Sequence, residues 1–456
     1  MLKKIFALCM LITLLGAGCG GPSDAQVAAT KPVTLKIWRV YDSNANFAPL
    51  EAAYQKIHPN VSFDYREFDA QTFKQELLRA LAEGTGPDIF SINNAWLGEY
   101  KSLIEPMPAS TKIPYSETRG TIKKETVYTI KEQPSLSLRE MRTNYVDVVP
   151  DDVIQTYQPN TRTRPADRIF GLPLSVDTLA MFYNKDLLNA GGFPNPAKTW
   201  TEFQDQVTKL TKLGDNNTIL QSGAAMGTSR NVERSPDILA LLMMQNGTQM
   251  TDDRGRATFA QSSQNGGTIL GLDAVTFYTD FANPTKQVYT WNKDQPNSID
   301  AFTAGKTAYF FGYSYHIAAI RAAAPKLNFV IAPVPQIEGG RVVNFANYWI
   351  ETVSKASANK DFAWDFIQFA AGADHVPLYL STAKKPTALR ALIGTQMQDD
   401  DLVTFASQLL TAKSWYKGTD ATVTDNALED FIDQILAGDD PQKAITDAEN
   451  KVNQTL

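Results

Sequence analysis

The chain has 456 residues, a length that fits two domains, each able to bury a hydrophobic core. Hydrophobic residues make up 43% and charged residues 20%, as in globular proteins. The formal charge is -6, and removal of an N-terminal segment that carries Lys3 and Lys4 would make it -8. This acidic balance, without a Lys/Arg-rich run, argues against a nucleic-acid partner. Only Cys9 and Cys19 are present, which excludes a disulfide framework.

The N-terminus has the pattern of a targeting segment. Residues 5–15 form an apolar run behind Lys3 and Lys4, and the run is too short for a permanent transmembrane helix. Small residues followed by Cys19 resemble a bacterial lipoprotein signal, although Gly16 stands where leucine is usual. This resemblance predicts a signal peptide over residues 1–18, a lipid on Cys19 and a flexible tether over residues 19–32. A simple secretory signal is the alternative.

Strand and helix patterns alternate from residue 33 to residue 96. Alternating apolar residues predict strands at 35–40, 61–65 and 88–92, with helices over 47–57 and 73–81 between them. This order predicts a mostly parallel sheet flanked by helices, in which ligands collect at the carboxyl ends of the strands. Polar and aromatic residues stand at these ends: Tyr41, Asp42, Phe68, Asp69, Asn93, Asn94 and Trp96.

Residues 105–168 are interrupted by seven prolines and are locally basic. Residues 126–130 could form a strand. We expect most of this region to be a solvated excursion from the first lobe.

Residues 170–188 read FGLPLSVDTLAMFYNKDLL. Gly171 and Pro173 indicate a stiff turn, and the apolar run 176–183 predicts one buried strand. Asp177 interrupts this run, and a carboxylate beside a buried strand needs a partner. It is either a hydrogen-bonded structural residue or a residue that lines a cleft between two lobes.

The second half continues with helix and strand patterns. Periodicity predicts helices over 203–213, 236–245, 270–281, 361–371 and 426–437 and another from Pro441, with strands at 308–311 and 328–333. The tetrapeptide 304–307, AGKT, is not a P-loop, because Asp300 occupies the position of the required glycine. Trp291 lies in a polar loop, either as a rim residue or as a recognition platform.

The ordered motifs resemble the bacterial extracellular solute-binding proteins of ABC importers, in the large sugar-binding class related to maltose-binding protein. These motifs are the lipoprotein signal, PDIFSINNAW, FGLPLSVDTLAMFYNKDLLNAGG, FTAGKTAYFFGYSYHIAAI and NYWIETVSKASANKDFAWDFIQFAAG. The resemblance implies an α/β fold of two lobes, each a mostly parallel sheet flanked by helices, with a hinge between them. It places lobe 1 at 33–169 and 298–333, and lobe 2 at 170–297 and 334–456.

The implied function is that of a lipid-anchored, extracytoplasmic and monomeric receptor. It would capture a carbohydrate between its lobes and deliver it to an ABC transporter permease, without cofactor, metal or catalysis. Sugars present apolar faces to aromatic rings and hydroxyls to paired polar groups. The residue types that suit such a ligand give these candidates: Tyr41, Asp42, Asp69, Asn93, Asn94, Trp96, Asp177, Arg230, Trp291, Tyr313, Tyr348 and Trp349, and Asn347 also offers hydrogen bonds to a sugar. Trp38 and Trp364 lie inside periodic segments and are expected in the core.

Three alternatives stay open. An extracytoplasmic glycoside hydrolase would need two carboxylates about 5–10 Å apart across the sugar, and no pair stands out. The same fold could carry a peptide, polyamine or metal chelate. A surface scaffold or sensor without a transport role would share the same sequence features.

Overall fold

The computed structural model describes residues 23–121, 124–263 and 267–456. Cys19, the predicted signal peptide and the first tether residues lie outside this part. The helices within it are α1 (Asp24–Thr30), α2 (Asn44–Gln55), α3 (Ala70–Ala82), α4 (Leu97–Tyr100), α5 (Leu138–Asn144), α6 (Val148–Val153), α7 (Lys185–Ala190), α8 (Trp200–Leu210), α9 (Ser235–Gln245), α10 (Leu270–Asp280), α11 (Ser298–Thr303), α12 (His316–Ala323), α13 (Lys360–Ala371), α14 (Val376–Ala383), α15 (Arg390–Gln396), α16 (Val403–Gln408), α17 (Ala421–Ala437) and α18 (Pro441–Asn453).

The strands are β1 (Val33–Val40), β2 (Val61–Phe68), β3 (Ile89–Asn93), β4 (Ser110–Arg119), β5 (Glu125–Pro134), β6 (Ile154–Tyr157), β7 (Ala166–Ile169), β8 (Asp177–Thr178), β9 (Ala180–Asn184), β10 (Lys212–Leu213), β11 (Ile219–Ala224), β12 (Thr307–Gly312), β13 (Phe329–Ala332), β14 (Asn344–Asn347), β15 (Trp349–Val353) and β16 (Ala412–Lys413). None of the described helices is both long and apolar enough to cross a membrane.

The first sheet has the order β15-β3-β1-β2. Strands β1, β2 and β3 are parallel, and β15 adds to β3 in the antiparallel direction. The predicted helices α2 and α3 connect the parallel strands, and Gly84 ends the turn after α3 with φ +70°. Trp38 and Trp364 are buried in the core around this sheet, which confirms their predicted structural role.

The second sheet has the order β10-β11-β12-β9-β13. Strand β12 reads TAYFFG, lies between β11 and β9, and is buried along its whole length, because hydrophobic clusters cover both faces of the sheet. A separate hydrophobic core of helices α8, α9, α10 and α17 packs against this sheet. The predicted helices of the second half are confirmed within a few residues at their ends.

Residues 170–184 carry the chain from the first sheet to the second. Leu172 exchanges two backbone hydrogen bonds with Glu351 of β15, each 3.0 Å long. A side chain at Gly171 would place its Cβ 2.7 Å from the carbonyl oxygen of Glu351, so only glycine allows this approach. The predicted single strand over 176–183 is wrong. The chain breaks at Leu179 into β8, which pairs with β14, and β9, which enters the second sheet.

Strand pairing corrects two segment assignments. The segment 298–333, expected in lobe 1, contributes β12 and β13 to the second sheet, where both pair with β9. Within 334–456, expected in lobe 2, strand β15 pairs with β3 of the first sheet, and α13 packs into the first core. Hydrophobic pattern predicts β12, β13 and α13 but neither β15 nor the pairing partners, because buried strands of either sheet have the same composition.

Two further expectations need correction. Residues 105–168 are not mainly solvated: β4 and β5 form a hairpin, and residues of α5 and α6 are buried in the first core. The strand expected at 126–130 is confirmed within β5.

The predicted flexible tether includes helix α1, because Ser23 caps its N-terminus by accepting a hydrogen bond from the Gln26 amide. Helix α1 lies against the β4–β5 hairpin.

Candidate functional site

A cluster of polar and aromatic residues forms where the first sheet, the crossing strands β8 and β14, and the end of β12 meet. Asn93 at the end of β3 donates a 2.8 Å hydrogen bond to Asn347 at the end of β14. Asn347 pairs in register with Asp177 of β8, and Trp349 pairs in register with Asn93. We call Asn93, Trp96, Asp177, Asn347 and Trp349, together with Ser314, the junction cluster. Both sheets contribute to it.

Asp177 joins this cluster to the second sheet. One of its oxygens accepts hydrogen bonds from the amide and the hydroxyl of Ser314, at 3.0 and 2.6 Å, and the other accepts from the Thr178 amide at 2.9 Å. Burial raises the pKa of Asp177 to about 7, against the opposing effect of these hydrogen bonds. The side chain is half-buried, so it can also accept a proton or hydrogen bond from a ligand.

Two tryptophans supply the aromatic part of the cluster. The rings of Trp96 and Trp349 are half-buried and perpendicular, with centroids 5.4 Å apart and an interplanar angle of 82°. Trp96 packs against both hydrophobic cores. Since each ring keeps part of its surface accessible, this pair can contact the apolar face of a ligand.

Buried groups hold the second-sheet side of the cluster in place. Asn347 donates to Asp237 over 3.4 Å, and the Tyr313 hydroxyl donates to the same carboxylate over 2.6 Å. Arg234 binds both oxygens of Asp237, at 2.9 and 2.7 Å. The ring of Tyr315, which is 54% exposed, stacks on buried Tyr313 with centroids 5.7 Å apart. Tyr313 therefore supports an exposed aromatic ring and has no accessible face of its own.

Asp42 lies in a buried charge network at the end of β1. It accepts hydrogen bonds from Tyr379 at 2.5 Å and Asn46 at 2.7 Å, and it pairs with Arg39 at 2.9 Å and Lys385 at 3.3 Å. Burial opposes its ionisation, but Arg39 and Lys385 lower its pKa to about 2. Protein groups thus occupy the Asp42 oxygens, and this network holds the backbone next to Tyr41 in place.

Tyr41 has the strained backbone of the site. Its φ is +54°, in the left-handed region that non-glycine residues rarely adopt, and its side chain is 62% exposed. The Tyr41 amide still donates to the Phe68 carbonyl at 3.0 Å, which continues the β1–β2 pairing. Such strain persists where surrounding structure enforces it, and it is often found at binding sites.

The other sequence candidates do not present free groups at the junction. Asp69 caps α3 through the amides of Gln71 and Thr72. Asn94 and Tyr348 both donate to buried Asp152, at 3.2 and 2.7 Å. Arg230 pairs with carboxylates of α17, among them Asp430 at 2.8 Å.

Trp291 corrects an expectation about exposure. Its polar neighbours suggested a rim residue or a platform, but its ring is 0% exposed and belongs to the second core. Lys293 and Asp294, two and three residues further on, are exposed, while the indole points inward.

The structure adds three residues that sequence reasoning did not select: Ser314, Tyr315 and Lys385. The first two lie inside the quoted motif GYSYH at the end of β12, so the rule that ligands gather at strand ends could have found them. Lys385 follows α14 and approaches Asp42 through the tertiary fold alone, which no local pattern indicates.

Comparison with known proteins agrees with this architecture. The family model described as bacterial extracellular solute-binding protein matches residues 50–390. The galactooligosaccharide-binding protein of Bacillus subtilis (strain 168) is 22% identical over 408 residues, which cover 86% of this chain and 82% of the relative.

Solved structures share the fold. The sugar-binding protein MalE from Xanthomonas citri superposes with a TM-score of 0.70 at 18% identity, covering 92% of this chain and 97% of the other. A cyclo/maltodextrin-binding protein complexed with maltotetraose gives a TM-score of 0.69 at 16% identity, covering 93% and 97%. The architecture is thus the two-lobed fold of these proteins, and this chain belongs to the family of bacterial extracellular solute-binding proteins.

Proposed function

We propose that this protein captures a carbohydrate, specifically an oligosaccharide, between its two lobes and delivers it to an ABC transporter permease. The protein acts as a monomer outside the cytoplasm, held at the membrane by a lipid on Cys19. Replacement of Cys19 by alanine in the full-length chain should move the protein from the membrane fraction to the soluble fraction, and unchanged fractionation would argue against the anchor.

The junction cluster is the observation that carries the proposal. Perpendicular Trp96 and Trp349 rings lie beside Asn93, Asn347 and Asp177, and this combination matches the apolar faces and hydroxyls of a sugar. Groups from both sheets converge here, so a ligand that touches them all favours one relative orientation of the lobes. The carbohydrate-binding relatives support the choice of ligand class.

Isothermal titration calorimetry tests the assignment. We would titrate residues 23–456 with galacto-, malto- and manno-oligosaccharides, and with spermidine and a short peptide as other cargo classes. Binding of one glycan class is expected, with affinity reduced about 5- to 150-fold in Trp349→Ala, since a buried aromatic contact contributes roughly 1–3 kcal/mol. Leu220→Ala, a change at an exposed residue of β11, is the control and should bind normally.

The other outcomes identify the competing functions. Binding of spermidine or peptide but no glycan would keep the fold and overturn the ligand class. Shorter sugars appearing in the titrated samples would identify a glycoside hydrolase, and its carboxylates would be sought first at Asp177 and Asp237, which both lie at the junction.

A further inference from the structure

A cavity of about 670 Å³ lies in the part of the molecule built on the first sheet, between α5, α13 and α15. We call it the α5–α13 cavity. Its apolar floor consists of Leu136, Tyr145, Leu172 and Leu389, all of them in or against the first core. No residue of the junction cluster lines it. Its volume falls within the roughly 300–1,000 Å³ that is common for small-molecule sites.

Tyr145 gives this cavity a polar group without a protein partner. The residue is 3% exposed and lines the cavity, and its hydroxyl makes no hydrogen bond with any described residue. The hydroxyl oxygen is not fully buried and opens onto the cavity, where it can bond to whatever occupies it. An occupant of the cavity would supply the missing hydrogen bond.

A second polar group of the cavity is partly unused. The Gln368 side-chain oxygen accepts from the Leu136 amide at 2.8 Å, which orients the carboxamide. Within residues 23–121, 124–263 and 267–456, its NH₂ group makes no hydrogen bond, so it remains available as a donor.

The two charged groups at the rim, Arg390 and Glu140, both make hydrogen bonds to protein groups. Arg390 donates to Asp147 at 2.5 Å, and Glu140 accepts hydrogen bonds from Ser137 in a capping box, at 2.9 and 2.7 Å. An anionic occupant would find Arg390 already paired with Asp147, and a cationic one would find only the exposed Glu140 carboxylate at the rim, so burying either charge against the apolar floor is unfavourable. The cavity therefore offers neutral hydrogen-bonding groups over an apolar floor.

We propose that the α5–α13 cavity is a second binding site, separate from the junction cluster, for a small uncharged molecule with an apolar face and a hydroxyl group. The hydroxyl bonds to Tyr145 and to the NH₂ group of Gln368, and the apolar face covers Leu172 and Leu389. This inference does not depend on the carbohydrate function.

Saturation-transfer NMR with benzyl alcohol tests the site, with benzoate and benzylamine as ionised probes of the same shape. We expect saturable binding of benzyl alcohol and weaker binding of both ions. Tyr145→Phe should weaken binding about three- to tenfold, the effect of one hydrogen bond. Ala391→Trp, a change at an exposed lining residue, should narrow the cavity and weaken binding, while Trp349→Ala at the junction cluster should leave it unchanged.

The measurement also has outcomes that overturn the proposal. Absence of saturable binding, or undiminished binding in Ala391→Trp, would show that the cavity takes no such ligand. Binding that disappears in Trp349→Ala would place the probe at the junction cluster instead. Tighter binding of either ion would overturn the uncharged class. Thermal unfolding of each variant confirms that it is folded. Failure of the wild-type protein to bind a glycan would not affect this test.

Discussion

Asp177 carries a pH dependence whose sign follows from its surroundings. Its pKa rises from 3.8 to about 7 on folding, so between these pH values the folded state binds a proton that the unfolded state lacks. The free energy of unfolding must then fall as pH rises from about 4 to about 7. Asp177→Asn has no carboxylate to titrate, so it should not show this fall in the free energy of unfolding. We expect the wild-type protein to lose stability relative to Asp177→Asn across that window, measured by urea unfolding at a series of pH values.

Asp69 provides a control of opposite sign. Hydrogen bonds from Thr72 lower its pKa, so its stabilising effect is present above its unfolded pKa and is lost as pH falls further. Asp69→Asn should therefore be less stable than the wild type at neutral pH, and this difference should shrink as pH falls into the acidic range. A wild-type-minus-Asp177→Asn difference that stays constant from pH 4 to pH 8 would mean that Asp177 ionises normally in the folded protein.

Substitutions of Tyr41 test whether the strained backbone is retained because its side chain contacts ligand. Glycine accepts φ +54° without the roughly 1–2 kcal/mol penalty of other residues, although it adds about 0.5–1 kcal/mol of unfolded-state entropy. Tyr41→Gly should therefore leave the free energy of unfolding unchanged or raise it by about 1 kcal/mol, while ligand affinity falls. Tyr41→Phe separates the ring from its hydroxyl. Loss of more than about 1 kcal/mol in Tyr41→Gly would show that the ring serves packing.

Among the secondary-structure elements, helix α4 packs closely against the segment that follows β16, and Gly98 lies at this contact. A Cβ at Gly98 would lie against the Gly418 carbonyl and 2.6 Å from the carbonyl oxygen of Lys417. Gly98→Ala must push these backbones apart, which should lower the free energy of unfolding by about 1–3 kcal/mol. Calorimetric or urea unfolding measures the change.

Gly394 in α15 is the matched control for this substitution. A Cβ there meets no atom within 4 Å, so Gly394→Ala should instead stabilise the helix by about 0.5–1 kcal/mol. Equal effects of the two substitutions would contradict the packing explanation.

The sequence predicts individual helices better than it predicts which strands pair. Helices α2, α3 and α13 were predicted because their apolar residues recur at helical spacing and local signals mark their ends. The pairing of β12 with β9 and of β15 with β3 was not, since these contacts join residues far apart in the chain. The same holds for side-chain exposure. The position of Asn93 and Trp96 at the junction can be predicted from their place at a strand end, whereas the burial of Trp291 depends on helices that pack around it.

At the scale of the whole molecule, the junction cluster couples ligand binding to lobe orientation. Asn93 belongs to the first sheet, Ser314 follows a strand of the second, and Asn347 and Asp177 lie on the crossing strands. A ligand that contacts both lobes should select a closed arrangement. Small-angle X-ray scattering should then show a smaller radius of gyration at saturating glycan. An unchanged radius, with binding established by calorimetry, would show that capture needs no closure.

The central claim is that the native protein binds one class of carbohydrate without converting it. Thermal unfolding of residues 23–456 against a panel of mono- and oligosaccharides, polyamines and short peptides tests it most directly. A ligand at 100 times its Kd should stabilise the folded state by roughly 2.7 kcal/mol, which raises the melting temperature visibly. We predict a saturable increase with one glycan class and no product. Increases only with peptides or polyamines, or the appearance of cleaved glycan, would contradict the account.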